Sequence, residues 1–464
     1  MKTRTRTLTA GTPLRVIVAF TLPLLIGNLF QQVYQFTDAA VVGRMVGVDA
    51  LAAVGASGSL VFLLIGFTFG ASTGLGIPVA RAFGAGDMGA MRRHVALGAL
   101  ISVGIAVAIT AIGTLLAEAM LVAMQTPPEL MADATAFLRI TFWAAPITMA
   151  FNYLAAVIRA LGDSTTPLIF LVVSCVLNVA LVVLLIGSFG LGVGGAALAT
   201  AIAQLTSVIA CLVLIALRMP QLRLARSDWR GLPGELGESL RSGMAMGFQM
   251  SVIAIGAIVL QYAINGLGSE AVAAVAASMR VDQVAVAPLA SFGMALTTFV
   301  AQNRGANQLA RIRVGVWQVS LLAWGVALLL GALIFFFGTP LVQVFIGDSA
   351  PHVVELAHLY LVINAALYPI LASLFVLRNA VQGLGSSMVP TLAGFMELAF
   401  RAAAALLLVG PLGFVGVALA APLAWIGALI PVTIAWFSWR SRLLREERCG
   451  PMAQADELGA LATA

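Results

Sequence analysis

Charged residues are scarce in this chain of 464 residues: Asp, Glu, Lys and Arg together account for 9% of the sequence, whereas hydrophobic residues account for 61%. A soluble protein carries roughly 25% charged residues. A fold of this composition would have too little polar surface to face water, which excludes a soluble globular protein. The sequence therefore predicts an all-α protein that crosses a membrane many times.

Residues that support catalysis, metal binding or nucleotide hydrolysis are also missing. The sequence has no Walker-type motif, which argues against ATP as the energy source, and no nucleophile paired with a base. Lys2 is the single lysine and the arginines fall mainly in short loops, so nucleic-acid binding is not expected. We expect no enzyme activity, no cofactor and no metal, because the cysteines and histidines are isolated: Cys175, Cys211, Cys449, His94, His352 and His358.

What the chain does contain is a second copy of its own pattern, shifted by about 221 positions. One offset relates several distant pairs of segments, which chance rarely produces. In an apolar chain such a duplication is typical of a transporter with two lobes and a site between them. The matching segments are residues 47–54 and 268–275, residues 84–85 and 305–306, and residues 192–198 and 413–419.

Twelve stretches are apolar enough to span a bilayer, six on each side of a polar divider. We divide the chain into an amino-terminal lobe (residues 1–217), an inter-lobe loop (218–240), a carboxy-terminal lobe (241–440) and a tail (441–464). Of the 25 Lys and Arg residues, 21 then fall on one side of the spans, Arg159 and Arg378 among them. By the positive-inside rule this side is cytoplasmic, both termini lie there, and the two repeats are parallel.

Asp38 is the most informative ionisable residue, because a charge inside a span is costly and points to function. Asn28, Gln31, Gln35 and Asp38 lie within an arc of about 80° on a helix. Such a polar stripe must face protein or a water-filled cavity, and Pro23 in the same helix permits a bend. We interpret Asp38 as a titrating switch and Pro23 as its hinge. The alternative is that Asp38 only hydrates the outer end of the span.

Other polar residues in the spans are weaker candidates. Glu397 and Arg401 are four residues apart and can pair on one helix face, either to fix packing or to line a cavity. Arg280 and Asp282 do not face one another on a helix and need partners elsewhere. Cavity-lining candidates on the substrate path are Asn28, Gln31, Gln35, Arg280, Gln283, Glu397 and Arg401. The remaining buried amides are often helix-to-helix contacts: Asn152, Asn178, Gln204, Gln249, Gln261, Asn364 and Gln382.

Three motifs together resemble the multidrug and toxic compound extrusion (MATE) family, in particular its DinF-like bacterial branch. The first span has L-P at 22–23 and F-T-D-A-A-V-V-G at 36–43. The fourth has Asn152, then R-A-L-G-D at 159–163, then Pro167. The second half has Arg280, Pro288, T-F-V-A-Q-N at 298–303 and G-A at 305–306. The resemblance covers roughly residues 14–440.

This resemblance implies two six-helix lobes arranged as a V and export by antiport. It also implies a coupling-ion site in the first lobe, formed by Asp38, Asn152 and Asn178 with Thr200 and Gln204 as neighbours. The branch usually has a second Asp four residues after the Asn178 position, where this chain has Val182. Sodium prefers several hard oxygen ligands, whereas proton coupling needs only one titrating group. We therefore favour H⁺ over Na⁺ as the coupling ion.

The sequence thus predicts a monomeric, multi-pass antiporter of the bacterial inner membrane, whose substrates are amphipathic and often cationic organic compounds. One alternative is a Na⁺-coupled antiporter of the same kind. A second is a flippase for lipid-linked precursors or polysaccharides, which would require a strongly basic cavity. A third is a membrane scaffold, which would need neither a buried Asp nor a duplicated lobe.

Overall fold

The computed structural model describes residues 7–230, 232–346 and 350–462, and within these ranges the regular elements are all helices. Side chains are described except at positions 35, 36, 38–40, 48–51, 56, 345–346 and 449–462. The first half contains α1 (Pro13–Met45), α2 (Val48–Gly84), α3 (Met88–Ala123), α4 (Pro128–Trp143), α5 (Ala145–Ala160), α6 (Thr165–Gly187) and α7 (Gly192–Arg218). The second contains α8 (Pro233–Asn265), α9 (Ser269–Gly305), α10 (Leu309–Ile346), α11 (Pro351–Ala366), α12 (Tyr368–Gly383), α13 (Met388–Leu407), α14 (Val409–Leu412) and α15 (Phe414–Ala462).

Two spans predicted as single helices are bent in the structure. Within the described ranges, ten helices are long and apolar enough to cross a membrane alone, and the pairs α4–α5 and α11–α12 raise the number to twelve when each pair is one span. The bends measure 46° and 51°. Pro146 and Pro369 are the second residues of α5 and α12. Proline has no backbone N–H to donate and its ring displaces the preceding turn, which explains why the same bend occurs in both halves.

The duplication is visible in the backbone as well as in the sequence. α2 and α9 each contain 37 residues, and each begins after a glycine with positive φ, Gly47 at 120° and Gly268 at 94°. The turns that follow α5 and α12 contain Gly162 at 81° and Gly385 at 89°. Side chains disfavour these conformations, so glycine at both copies preserves the same turn. The two six-span repeats predicted from the sequence are confirmed.

The outward surface of the helices is strongly apolar. Leu115 is 81% exposed, Val344 78% and Phe336 73%. A water-soluble protein rarely exposes so much apolar surface, whereas the hydrocarbon core of a bilayer requires it. The long helices therefore present a surface suited to lipid.

The two halves approach one another closely where α2 meets α8. A methyl group added to Gly70 or Gly74 would overlap the backbone carbonyl of Met246 or Ser242. Small residues allow helix backbones to approach this closely in membranes. Nearer the start of α2, a methyl group at Gly58 would meet no atom within 4 Å. The halves are therefore in close contact towards the end of α2.

The end at which the halves touch is rich in arginine, and we call it the basic end. The backbone N–H of Leu8 donates to Gln302 Oε1 at 2.8 Å, and Arg304 pairs with Glu446 of α15. On the other half, Arg81 of α2 pairs with Glu238 of α8. Four segments therefore lie at the same end: the beginning of the described chain, the α2–α3 turn, the α9–α10 turn and the later part of α15.

The polar segment predicted as the inter-lobe loop is largely helical. It contains two short 3-10 turns, Pro220–Leu222 and Arg226–Trp229, and α8 begins at Pro233 rather than after residue 240. Proline suits the first turn of a helix, and Glu235 accepts a hydrogen bond from the backbone N–H of Leu232 at 3.2 Å. Polarity in this segment reflects ion pairs with α2 and α3 rather than the absence of helix. Similarly, α15 continues through the predicted tail to Ala462.

Candidate substrate and coupling-ion sites

A polar cluster joins α1, α6 and α7 inside the first half. The side chain of Asn178 is 1% exposed and donates from Nδ2 to Thr200 Oγ1 at 2.9 Å. The Thr200 hydroxyl in turn donates to the carbonyl of Ala196 at 3.2 Å. The Tyr34 hydroxyl is also within hydrogen-bonding distance of Thr200 Oγ1, at 3.1 Å.

One oxygen of this cluster is not satisfied by any side chain that the structure describes. Asn178 Oδ1 is buried and lacks a hydrogen-bond partner there. Buried acceptors are normally paired, because an unpaired one costs about 1–3 kcal/mol. The amide is held by Thr200 with its oxygen left over, which is the arrangement that a cation or a protonated carboxyl group would complete.

Asp38 occupies the adjacent turn of α1. Its side chain and that of Gln35 lie outside those described, but the helix itself continues through both positions. Tyr34 is four residues before Asp38 and contacts Thr200. Val42 is four residues after it and packs in an apolar cluster with Val182. Positions four apart share one face of a helix, so Asp38 is on the face of α1 that packs against α6 and α7.

Val182 fills the place at which the resemblance leads us to expect a second carboxylate. It is 1% exposed, one turn beyond Asn178, and it packs with Val42, Ile186 and Val193. Apolar neighbours on this side offer no oxygen to a cation. Among the described residues, the cluster therefore provides amide and hydroxyl groups without a second acid.

Asn152 and Gln204 form separate contacts near this cluster. Gln204 Oε1 accepts from the Thr148 hydroxyl at 2.7 Å, which joins α7 to α5. Asn152 Nδ2 lies 3.4 Å from Thr68 Oγ1, which joins α5 to α2. No hydrogen bond within the described part of the chain connects either pair to Asn178. Of the predicted set, the structure brings Asn178 and Thr200 together and uses Asn152 and Gln204 to pack neighbouring helices.

α1 contacts both halves of the protein, although it belongs to the first repeat. Its early residues Ile17, Phe20 and Leu24 are buried in the main core of the second half. Asn28 Nδ2 donates to Ser291 Oγ of α9 at 2.9 Å. Beyond this point, contacts pass to the first half through Tyr34 and Val42. Pro23 is half-buried within the part of α1 that contacts the second half, and Gln31 is half-buried between the two parts.

In the second half, Glu397 pairs with two arginines. Its Oε1 is 3.2 Å from Arg401 Nη2, as predicted from the spacing, and its Oε2 is 3.4 Å from Arg378 Nη1. The three residues are 5–9% exposed. Arg401 Nε has no hydrogen-bond partner in the described structure. Arg378 was expected in a loop, but α12 carries it into the interior, where it also lies over the ring of Phe375.

A further acid in the second half is Asp282, which is half-buried and whose Oδ1 accepts from the Tyr368 hydroxyl at 2.6 Å. Gln249 and Gln382 form a buried hydrogen bond of 2.8 Å. Arg280 and Gln283, by contrast, are exposed on α9. The structure therefore places Glu397 and Arg401 in the interior of the second half, whereas Arg280 and Gln283 are exposed.

Ion pairs close the junction between the halves at the basic end. Arg93 Nε and Nη2 bind Glu235 of α8 at 2.8–2.9 Å in a two-pronged contact. Arg92 pairs with Asp228 at 3.2 Å. Beneath them, His94 Nδ1 is 2.9 Å from Ser239 Oγ. Fork-shaped contacts of arginine with a carboxylate are among the stronger hydrogen-bonded pairs in proteins, so α3 and α8 are firmly joined in this conformation.

Groups of three or more His, Cys, Asp or Glu side chains that could hold a metal ion are absent from the described residues.

Comparison with known proteins gives concordant results. The MatE family model matches residues 23–184 and 245–407, one segment in each half. The Bacillus subtilis "Probable multidrug resistance protein YoeA" is 30% identical over 388 residues, which are 81% of this chain and 82% of that protein. The Escherichia coli "DNA damage-inducible protein F" is 27% identical over 321 residues, 68% of each chain.

A solved structure described as the outward-facing conformation of a multidrug resistance MATE family transporter has a similar fold. It superimposes with a TM-score of 0.87 and 20% identity, and the match covers 96% of this chain and 100% of the other. Together with the repeats and spans above, this likeness confirms the predicted two-lobed, twelve-span architecture.

Proposed function

Because the chain belongs to the MatE family of membrane transporters, we propose that it exports amphipathic organic compounds, often cationic, in exchange for protons. Membership confirms the resemblance inferred from the sequence motifs and makes the protein a transporter rather than an enzyme. The observation that carries the finer proposal is the unsatisfied Oδ1 of buried Asn178 beside the face of α1 on which Asp38 lies.

In this proposal Asp38 is the group that titrates. A protonated carboxyl group can donate to the free acceptor Asn178 Oδ1, whereas an ionised one cannot. Protonation would therefore let α1 pack more closely on α6 and α7, and deprotonation would release it. A carboxylate in this setting is both a proton carrier and a switch for the position of α1.

The neighbours of Asp38 favour a proton over a sodium ion. A sodium ion would need several oxygen ligands. Asn178 and Thr200 offer two oxygen ligands, but the Thr200 hydroxyl already contacts three polar groups. Val182 supplies no oxygen ligand. A proton needs only Asp38. Sodium coupling is the alternative that the experiment below must distinguish.

Transport would proceed by movement of one half against the other. In the described conformation the basic end is closed by the α2–α8 contact and by Arg93 with Glu235. In this proposal substrate would leave from the opposite end. Protonation of Asp38 from that side would shift α1 and favour the reverse conformation, in which the basic end opens to accept a new substrate.

We also propose that the basic end is cytoplasmic and that the protein lies in the bacterial inner membrane. The excess of arginine at this end supports that orientation. Single cysteines introduced at Gly86 and at Gln125, in turns at opposite ends of α3, would test it with a thiol reagent that does not cross membranes. In whole cells the reagent should label position 125 and leave position 86 unlabelled.

Dye efflux from everted vesicles tests the mechanism. Wild-type protein should drive efflux with a pH gradient in the absence of sodium, and a sodium gradient alone should drive none. Asp38→Asn should lose proton-driven efflux. Thr37→Val is a matched control, because the Thr37 hydroxyl bonds the carbonyl of Val33 within its own helix, and it should retain efflux.

The outcomes separate the alternatives. Efflux by wild type only with sodium would replace the proton by Na⁺. Efflux that persists in Asp38→Asn would refute the role of Asp38. The absence of efflux with either gradient, for dyes of several charge types, would favour a flippase for lipid-linked cargo.

A further inference from the structure

Arg159 brings a positive charge to the junction between the halves without a countercharge. It lies half-buried in the last turn of α5, and its nitrogens make no hydrogen bond or ion pair with any residue that the structure describes. Other inward-facing arginines each contact a carboxylate: Arg378 and Arg401 share that of Glu397, and Arg93 binds Glu235. Because an uncompensated charge within a membrane protein is costly, Arg159 calls for a negative partner from outside the chain.

The space beside Arg159 is a small pocket, open on one side, between α2 and α5 of the first half and α9 of the second. Its lining is mainly apolar, with Gly76, Ile77 and Met294 among its residues. The hydroxyl of Thr297 is bonded to Asn379, whereas that of Thr298 makes no hydrogen bond to a described residue. One guanidinium and one free hydroxyl therefore remain to bind a ligand.

The second half shows that the fold does not require a charge at this position. Arg159 is the fifteenth of the 16 residues of α5, and Gln382 is the fifteenth of the 16 residues of α12. Gln382 is neutral and already donates to Gln249 at 2.8 Å. The two copies thus place a satisfied amide in one half and an unsatisfied guanidinium in the other. The charge is a feature of the pocket rather than of the repeated helix.

We propose that this pocket binds a single anionic group, a carboxylate or a phosphate, carried by a transported compound or by a lipid headgroup. Guanidinium binds both groups through two parallel hydrogen bonds, and the apolar lining would contact the part of the molecule next to the anionic group. The inference deepens the proposed function and rests on it, because it adds compounds with an acidic group to the substrates. Since α9 belongs to the other half, movement of the halves would open and close the site.

The test is equilibrium binding to purified protein in a neutral detergent. The probes are rhodamine B, which has a free carboxylate, and its ethyl ester, which differs by the loss of that charge. Arg159→Gln should weaken binding of the acid about tenfold or more, the range expected for a hydrogen-bonded charge, and leave the ester unchanged. Arg159→Lys should retain part of the affinity. Arg139→Gln is the control, because Arg139 is exposed and pairs with Glu118 at 3.7 Å.

A second arm separates the two sources of the anion. In lipid nanodiscs, phosphatidylglycerol that competes with rhodamine B in wild type but not in Arg159→Gln would identify a lipid headgroup as the occupant. No competition would assign the site to the dye-like compound. Equal losses for acid and ester in Arg159→Gln, or no loss for either, would overturn the proposal. Binding needs no gradient, so Asp38→Asn should bind the acid normally even if the coupling mechanism fails.

Discussion

Glu397 is the side chain whose loss should destabilise the second half most, because two buried arginines depend on it. Its two oxygens contact Arg378 and Arg401 at 3.4 and 3.2 Å, and the three residues are at most 9% exposed. In Glu397→Gln one oxygen becomes an NH2 group, which cannot accept a hydrogen bond from the guanidinium that faces it, and the negative charge is lost. Both guanidinium groups would then remain buried and charged beside one another. Breaking a buried ion pair in this way costs about 3–5 kcal/mol.

An exposed pair in the same protein supplies the comparison. Glu118 and Arg139 are 3.7 Å apart, with side chains 65% and 52% exposed. Glu118→Gln should cost at most about 1 kcal/mol, since water and salt screen such pairs. Replacing all three buried charges by apolar residues, Arg378→Met, Glu397→Leu and Arg401→Met, should recover most of the loss because no buried charge is left unpaired.

The assay is unfolding of the purified variants in mixed micelles, followed by tryptophan fluorescence, with dye efflux measured on the same proteins. We expect Glu397→Gln to unfold at clearly lower denaturant than Glu118→Gln, and the triple variant to approach wild type. Equal stability of the two single variants would refute the reasoning. Loss of efflux in a Glu397→Gln protein of normal stability would instead place Glu397 in the transport cycle.

Three further predictions concern the junction and the coupling site. Glu235→Arg should weaken closure of the basic end, and cysteines introduced there should then react faster with a thiol reagent. Adding Arg93→Glu to the same chain should restore slow labelling, because the ion pair forms again with its charges exchanged. Gly74→Val should prevent folding, since its side chain has no room against α8, whereas Gly58→Ala should fold normally; monodispersity after purification distinguishes them. Val182→Asp should let a sodium gradient drive dye efflux in vesicles, because it adds a second carboxylate one turn from the coupling cluster. Efflux that still depends only on the proton gradient would show that Val182 does not decide the choice of ion.

Hydropathy and the repeat together predict the number and order of the spans, because both are properties of long segments. The bends in α4–α5 and α11–α12 are not detected from hydropathy, because the hydropathy is averaged over a window that includes each break. Pro146 and Pro369 were the available signal, since a proline recurs at the same place in both halves. The helical start of α8 was missed for a different reason: its acidic residues look like a loop until their arginine partners on α2 and α3 are known.

The candidate sites show the same division between local and tertiary information. Spacing along one helix is enough to predict the contact of Glu397 with Arg401, but not the addition of Arg378 from α12. The polar stripe on α1 indicates Asp38, yet Tyr34 was passed over, although it is one turn before Asp38. Tyrosine is ordinary in a membrane helix, and only its contact with Thr200 distinguishes it. Partners on separate helices require the packing of the bundle, which no sequence pattern supplies.

The position of α1 explains how a proton at Asp38 could affect the distant junction between the halves. Asp38 and Asn28 are ten residues apart, about 15 Å along the helix. Around Asp38 the helix contacts the first half, through Tyr34 and Val42, while Asn28 and Phe20 attach it to the second half. A change in the packing of α1 around Asp38 must therefore either bend the helix between its contacts with the two halves or move α9. Pro23 lies within the part bound to the second half, so bending there would change the angle of the remaining helix without breaking its contacts with α6 and α7.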